Sequence, residues 1–123
     1  MDEKENNANI LTELKQQLET LNIPVCYGVA DNKAVKSGEY IVFGRNKISV
    51  NQNNTAHTKR FEIVIVAENW VTENRIAEVI QCAKKVGLKI SKSTEIEIEY
   101  LSKNDLSYEL VSIPFFKAEK ECY

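Results

Sequence analysis

The sequence predicts a single α+β domain, in which a largely antiparallel sheet carries two helices on one face. Three observations lead to this prediction. The chain has 123 residues, the size of one hydrophobic core. Two segments show apolar residues at three- and four-residue spacing, as amphipathic helices do. Runs of strand-like segments surround these two segments, giving the order α-β-β-β-α-β-β-β, and such runs favour an α+β fold over alternating α/β units.

The two predicted helices have signals at their ends. The first spans residues 9–21, with Asn9 as its cap and Pro24 beyond its end. The second begins after Thr72 and ends before Gly87, the residue type preferred just past a helix. The apolar stripes are Ile10, Leu11, Leu14, Leu18 and Leu21 in the first helix, and Ile76, Val79, Ile80, Ala83 and Val86 in the second.

Strand signals occupy most of the remaining chain. Residues 25–29, 40–43, 61–67, 88–90, 95–100 and 108–113 are rich in β-branched and aromatic side chains. Gly44 predicts a bend, after which residues 45–50 continue as a second strand segment, and the polar residues 51–55 predict a hairpin tip. Because Val64 and Val66 make both faces of 61–67 apolar, we expect this strand to be central. Residues 31–38 read as a polar connection, and we expect flexible tails at 1–8 and 118–123.

Composition excludes several classes of protein. The chain is 43% hydrophobic and 28% charged, which is typical of globular domains and not of disordered chains. Its apolar runs are far shorter than the roughly 18 residues needed to cross a bilayer. The chain has a net charge of −2 and so lacks the excess of basic residues that is typical of nucleic-acid binders. The polar N-terminus is unlike a secretory signal, and Cys26, Cys82 and Cys122 are expected to be reduced thiols in a reducing compartment.

No catalytic, cofactor or metal motif is recognisable in the sequence. His57 is the only histidine and lies in a polar segment, where we expect a solvated loop residue. The four glycines are too far apart for a phosphate-binding loop, and no serine stands in a nucleophile motif. Glu95, Glu97 and Glu99 share one face of a strand, which is typical of a solvated surface, and we expect the alternating residues Ile96, Ile98 and Tyr100 to point inward. We therefore expect neither an enzyme nor a bound cofactor or metal.

Interaction with other proteins is better supported. Trp70 stands at a strand-to-helix junction, as a cover for the helix start or as an interface anchor. Basic side chains near the hairpin favour a polar interface, with a phosphate contact as the alternative. Strand edges offer unpaired backbone groups to a neighbouring subunit. The candidate interface residues are Trp70, Arg45, Lys47, Asn53, His57, Lys59 and Arg60.

The order of these segments resembles that of the tail-terminator, or tail-to-head joining, proteins of long-tailed bacteriophages and prophages. The resemblance covers residues 9–117. It rests on the opening helix, Ile23-Pro24-Val25-Cys26-Tyr27-Gly28, Tyr-Ile-Val-Phe at 40–43, Phe-Glu-Ile-Val-Ile at 61–65, the glutamate-alternating strand and Tyr-Glu-Leu-Val-Ser-Ile-Pro-Phe-Phe-Lys at 108–117.

This resemblance implies a structural protein of the virion, found at the head-tail junction and in the host cytoplasm during assembly. It would form a hexameric ring that caps the tail tube, docks to the head connector protein and passes DNA through its lumen without reading its sequence. Glu95, Glu97 and Glu99 would face that lumen, since like charge lowers affinity for phosphate. The alternatives are another neck component, such as a head-completion or stopper protein, and a stand-alone cytosolic protein-binding module.

Overall fold

The fold is known from a computed structural model that describes residues 3–50, 56–90 and 95–120, with side chains at 10–45, 58–90 and 95–117. In chain order the elements are α1 (Glu3–Glu19), β1 (Val25–Tyr27), α2 (Asn32–Lys36), β2 (Glu39–Val50), β3 (Ala56–Glu68), α3 (Glu73–Lys85), β4 (Glu97–Lys103) and β5 (Leu106–Lys120). The α+β class predicted from the sequence is confirmed.

The five strands form one sheet in the order β1-β2-β3-β5-β4. β1 pairs in parallel with β2, and every other pairing is antiparallel. β3 is the middle strand, as the apolar residues on both of its faces predicted. β1 and β4 are the two terminal strands, so each has one partner within the described sheet.

The hydrophobic core lies between one face of the sheet and helices α1 and α3. Leu14 and Leu18 of α1 and Val79 of α3 are fully buried, and they share a core cluster with Ile63 and Ile113 of the sheet. The apolar stripe predicted for α1 packs on the same cluster: Ile10 and Leu11 are half-buried there, and so is Leu21, which lies just after the helix ends at Glu19. We call this side of the sheet the helix face and the opposite side the second face.

Helix α3 has the ends that its sequence predicts. The hydroxyl of Thr72 accepts a hydrogen bond from the backbone N–H of Arg75, and so caps the first turn. At the other end the N–H of Leu88 donates to the carbonyl of Ala83, and the N–H of Gly87 donates to that of Lys84. This pair of bonds is the Schellman motif. Gly87 has a φ of 91°, a left-handed conformation that costs glycine little.

Several details differ from the sequence prediction. The connection at 31–38 contains the one-turn helix α2, capped by the side chain of Asp31. Asn9 is not a cap, because α1 already begins at Glu3. Residues 88–90 contribute only a single bridge, from Lys89 to Phe116. The irregularity in β2 falls between Arg45 and Lys47, one residue after the predicted bend. Residues 1–2 and 121–123 of the expected tails lie outside the described part of the chain.

Three strands continue past the core. Among the residues with described side chains, Phe61 and Phe115 are the buried residues of β3 and β5 that lie furthest in this direction. Beyond them β3 pairs with β5 over residues 56–60 and 116–120, and with β2 over residues 57–60 and 47–50. Five residues of strand span about 17 Å. We call this three-stranded extension the arm.

Candidate interaction surfaces

The arm brings together most of the basic residues that the sequence singled out. Lys47 pairs with Arg60 across β2 and β3, and Lys59 stands opposite Ile48 on one side and Lys117 on the other. Arg45 lies at the base of the arm, opposite Phe61, and its side chain is exposed. Three separate strands thus place positive charge on one projection of the sheet.

His57 lies in this arm and not in a loop. Its backbone belongs to β3, where it pairs with Val50 on one side and Glu119 on the other. The sequence prediction of a loop histidine is therefore wrong for the backbone, because pairing on both sides satisfies the peptide groups of a polar segment. Asn53 lies outside the described residues, as does Cys122.

Trp70 is remote from the arm along β3. The arm is the start of this strand, and Trp70 follows the other end, two residues after Glu68. Its side chain is exposed. The candidate interface residues therefore divide into a group on the arm and a single tryptophan at the far end of the sheet.

Glu109 fixes the turn that carries Trp70. Its Oε1 accepts a hydrogen bond of 2.8 Å from the backbone N–H of Val71. In the same turn the N–H of Asn69 donates to the carbonyl of Ser107 at 2.9 Å. Glu109 also stands directly opposite Tyr100 of β4 and accepts a hydrogen bond from its hydroxyl. One carboxylate thus connects the turn after β3 with the terminal strand.

That hydrogen bond perturbs the tyrosine. It raises the pKa of Tyr100 above the ordinary value of 10.0, because the neutral hydroxyl donates to the Glu109 carboxylate, and the negative charge of the carboxylate adds to this effect. Elsewhere, burial raises the pKa of the Cys82 thiol, whose Sγ lies 3.3 Å from the carbonyl oxygen of Gln17. Cys82 is thus a packed core thiol, and Cys26 is half-buried on β1.

β4 is exposed along its whole length. The sequence predicted Ile96, Ile98 and Tyr100 to point inward, and the register does put Ile98 and Tyr100 on the helix face, opposite Val111 and Glu109. They are nevertheless exposed, because β4 is a terminal strand that the core cluster does not reach. The expectation that they are buried is wrong.

The carboxylate row lies on the other side of this strand. Glu97 pairs with Ser112 and Glu99 with Leu110, which places both on the second face, and Glu95 precedes the strand. All three side chains are exposed. Their position in a lumen remains a prediction.

The second face is more apolar than a solvated sheet face. Its central positions hold Val42, Val64, Val66 and Leu110, in adjacent registers of β2, β3 and β5. Antiparallel sheets with one face in water normally alternate apolar with polar residues. Val64 and Leu110 are only half-buried, whereas Val66 is already buried within the chain. This face is a second candidate surface for contact with another protein.

Sequence reasoning missed Tyr27 and Val29 as surface residues. Both are exposed at the end of β1. Val29 had a signal, since it follows Gly28, whose φ of 83° ends the strand. Tyr27 had none, because only the strand order shows that β1 is terminal.

Comparison with known chemistry and known proteins adds little. Among the described residues, no three His, Cys, Asp or Glu side chains form a group that could hold a metal ion. No helix in that part of the chain is both long and apolar enough to cross a membrane. No protein-family model matches this chain, and no curated protein matches it either.

Proposed function

We propose that this chain is a structural virion assembly protein of a long-tailed phage or prophage, which caps the tail tube as a ring and joins it to the head. The proposal starts from the resemblance between the order of segments along residues 9–117 and that of the tail-terminator proteins. The observation that carries it is the arm, a paired three-stranded extension of about 17 Å beyond the core.

The arm suits contact with a repetitive partner. A stable domain does not need strands that continue past their helices, and edge strands invite pairing with other chains. Arg45 and Arg60 add exposed positive charge to this extension. We infer that the arm contacts the tail tube or the head connector, and that its charge sets the orientation of docking.

The second face and the carboxylate row have roles in the same proposal. The apolar centre of the second face, around Val64 and Leu110, suits protein contact inside the assembly. Glu97 and Glu99 lie beyond this centre on the terminal strand. There they would repel the phosphates of passing DNA and prevent tight binding.

Binding to purified tail tubes of the same phage or prophage tests this proposal. Negative-stain electron microscopy should show added density at one end of each tube and no further growth when tube subunits are supplied. Binding to isolated connectors without any binding to tubes would favour a stopper or head-completion protein instead. Binding to neither assembly would refute a role in the phage neck.

Charge reversal on the arm sharpens the test. Arg45→Glu with Arg60→Glu should weaken tube binding by at least about tenfold, because like charges at an interface cost several kcal/mol. The matched control is Lys15→Glu with Lys84→Glu, which makes the same change in net charge on exposed helix positions. Equal binding by both double variants would contradict docking through the arm.

A further inference from the structure

Apart from Trp70, the exposed large hydrophobic side chains of the described residues lie on or beside the two terminal strands, β1 and β4. At the β1 end are Tyr27 and Val29, which are 46% and 81% exposed. On or beside β4 are Ile96, Ile98, Tyr100, Leu101 and Leu106. Trp70 lies in the turn after β3, where the next residue, Val71, donates its N–H to Glu109, the partner of Tyr100. Tyr100 is 75% exposed and Trp70 67%. Aromatic residues in such positions are typical interface anchors.

These two edges present apolar groups on the same face of the sheet. Tyr27 pairs with Phe43, a buried residue of the helix face, and their rings meet edge to face with centroids 5.2 Å apart. Ile98 pairs with Val111, also buried on the helix face. If β4 of one copy lies beside β1 of the next with the same face up, these side chains meet in one continuous apolar strip.

Charge distinguishes this arrangement from a two-fold contact between two β4 strands. Exposed Glu95, Glu97 and Glu99 make the β4 edge acidic. Lys33 and Lys36 are exposed basic residues of α2, which follows β1 after four residues and contacts β2 at the same end of the strand order. Pairing β4 with β4 would oppose two acidic rows, whereas pairing β4 with β1 brings opposite charges near each other.

We propose that copies of this chain join edge to edge, with β4 of one copy docking on β1 of its neighbour. The contact is heterologous, so each copy uses two different surfaces, and repetition closes into a ring if the rotation between copies permits. The inference rests on the self-association part of the proposed function and adds the surfaces that carry it.

Two complementary variants test this geometry. The first blocks the β4 edge with Ile98→Glu and Tyr100→Glu, and the second blocks the β1 edge with Val29→Glu and Lys33→Glu. All four side chains are exposed, and circular dichroism with thermal melting would verify that both variants fold. Sedimentation velocity measures their association over a range of concentrations.

Each variant alone should be monomeric at concentrations where the unmodified protein associates, because its concentration for half-association should be at least about tenfold higher. An equimolar mixture should form a dimer of about 28 kDa, twice the 14.0 kDa of one chain, and nothing larger. This follows because the mixture contains one intact β4 edge and one intact β1 edge for each pair. Ala77→Glu with Gln81→Glu, on an exposed part of α3, is the control and should associate like the unmodified protein.

Other outcomes would overturn the inference. Normal association of the β1 variant would indicate a two-fold β4 contact, and a mixture that stays monomeric would exclude heterologous docking. A strictly monomeric unmodified protein would refute association through the edges, even if it bound tail tubes. Edge-dependent oligomers that bind neither tubes nor connectors would instead refute the proposed function and leave this inference standing.

Discussion

Removing the Glu109 carboxylate is expected to destabilise the fold and loosen the turn that carries Trp70. Glu109 is half-buried, and its side chain accepts a 2.8 Å hydrogen bond from the backbone of Val71. Hydrogen bonds to charged groups contribute about 1.5–3 kcal/mol. Partial solvent access to Glu109 reduces this, so we expect Glu109→Ala to lower the free energy of unfolding by about 1–2 kcal/mol.

Denaturation by urea, followed by circular dichroism, measures this loss. Glu109→Gln keeps an oxygen acceptor for the Val71 N–H, so it should retain more than half of the stability that Glu109→Ala loses. Glu99→Ala, on an exposed neighbouring position, is the control and should stay within about 0.5 kcal/mol of the unmodified protein. If Glu109→Ala unfolds at the same urea concentration as Glu99→Ala, the connecting role of this carboxylate is refuted.

Three further predictions follow from the fold. Tyr100 should ionise above pH 10.0 by ultraviolet titration, and Glu109→Gln should lower its pKa. Because the pKa of Tyr100 is higher in the folded than in the unfolded chain, the bond stabilises the fold fully below the unfolded pKa, and this stabilisation is lost as pH rises through the folded pKa. A Tyr100 with an unshifted pKa would contradict the hydrogen bond. Ile63→Ala, at a fully buried site, should lower the free energy of unfolding measured with urea by about 3–4 kcal/mol. Val64→Ala on the second face should lower it by less than about 1.5 kcal/mol. Equal losses would contradict the assignment of the two residues to different faces. Gly87→Ala should lower the unfolding free energy by about 1 kcal/mol, since alanine is strained at a φ of 91°, and an unchanged melting temperature would refute that conformation.

The elements with local signals were predictable from the sequence. Helix α3 has a cap at Thr72, a periodic stripe and Gly87 past its end, and each of these depends on neighbours within a few residues. β3 was predicted to be central because apolar residues on both faces need cover from both sides. Helix α2 was missed because five residues are too few to show helical periodicity.

Features set by the order of strands were not predictable from local patterns. The alternation in β4 correctly predicted which residues share a face, but burial also depends on whether a helix lies above the strand. Ile98 is exposed because β4 is terminal, and that position is decided by its pairing with β5. The strand conformation of His57 likewise depends on partners 7 and 62 residues away, Val50 and Glu119.

The candidate surfaces follow the same division. The basic residues of the arm were identified by type, and their convergence on one extension depends on the long pairing of β2, β3 and β5. The β1 edge was missed as a surface because no local pattern shows which strands are terminal. Pairs of edges become visible only when the whole sheet is assembled.

The claim that copies of this chain assemble with one another is tested most directly by native mass spectrometry over increasing concentration. We predict a closed species near 84 kDa, six times the 14.0 kDa chain, in equilibrium with monomer and without a ladder of larger sizes. A mass of 14.0 kDa alone, at every concentration up to about a millimolar, would contradict self-association.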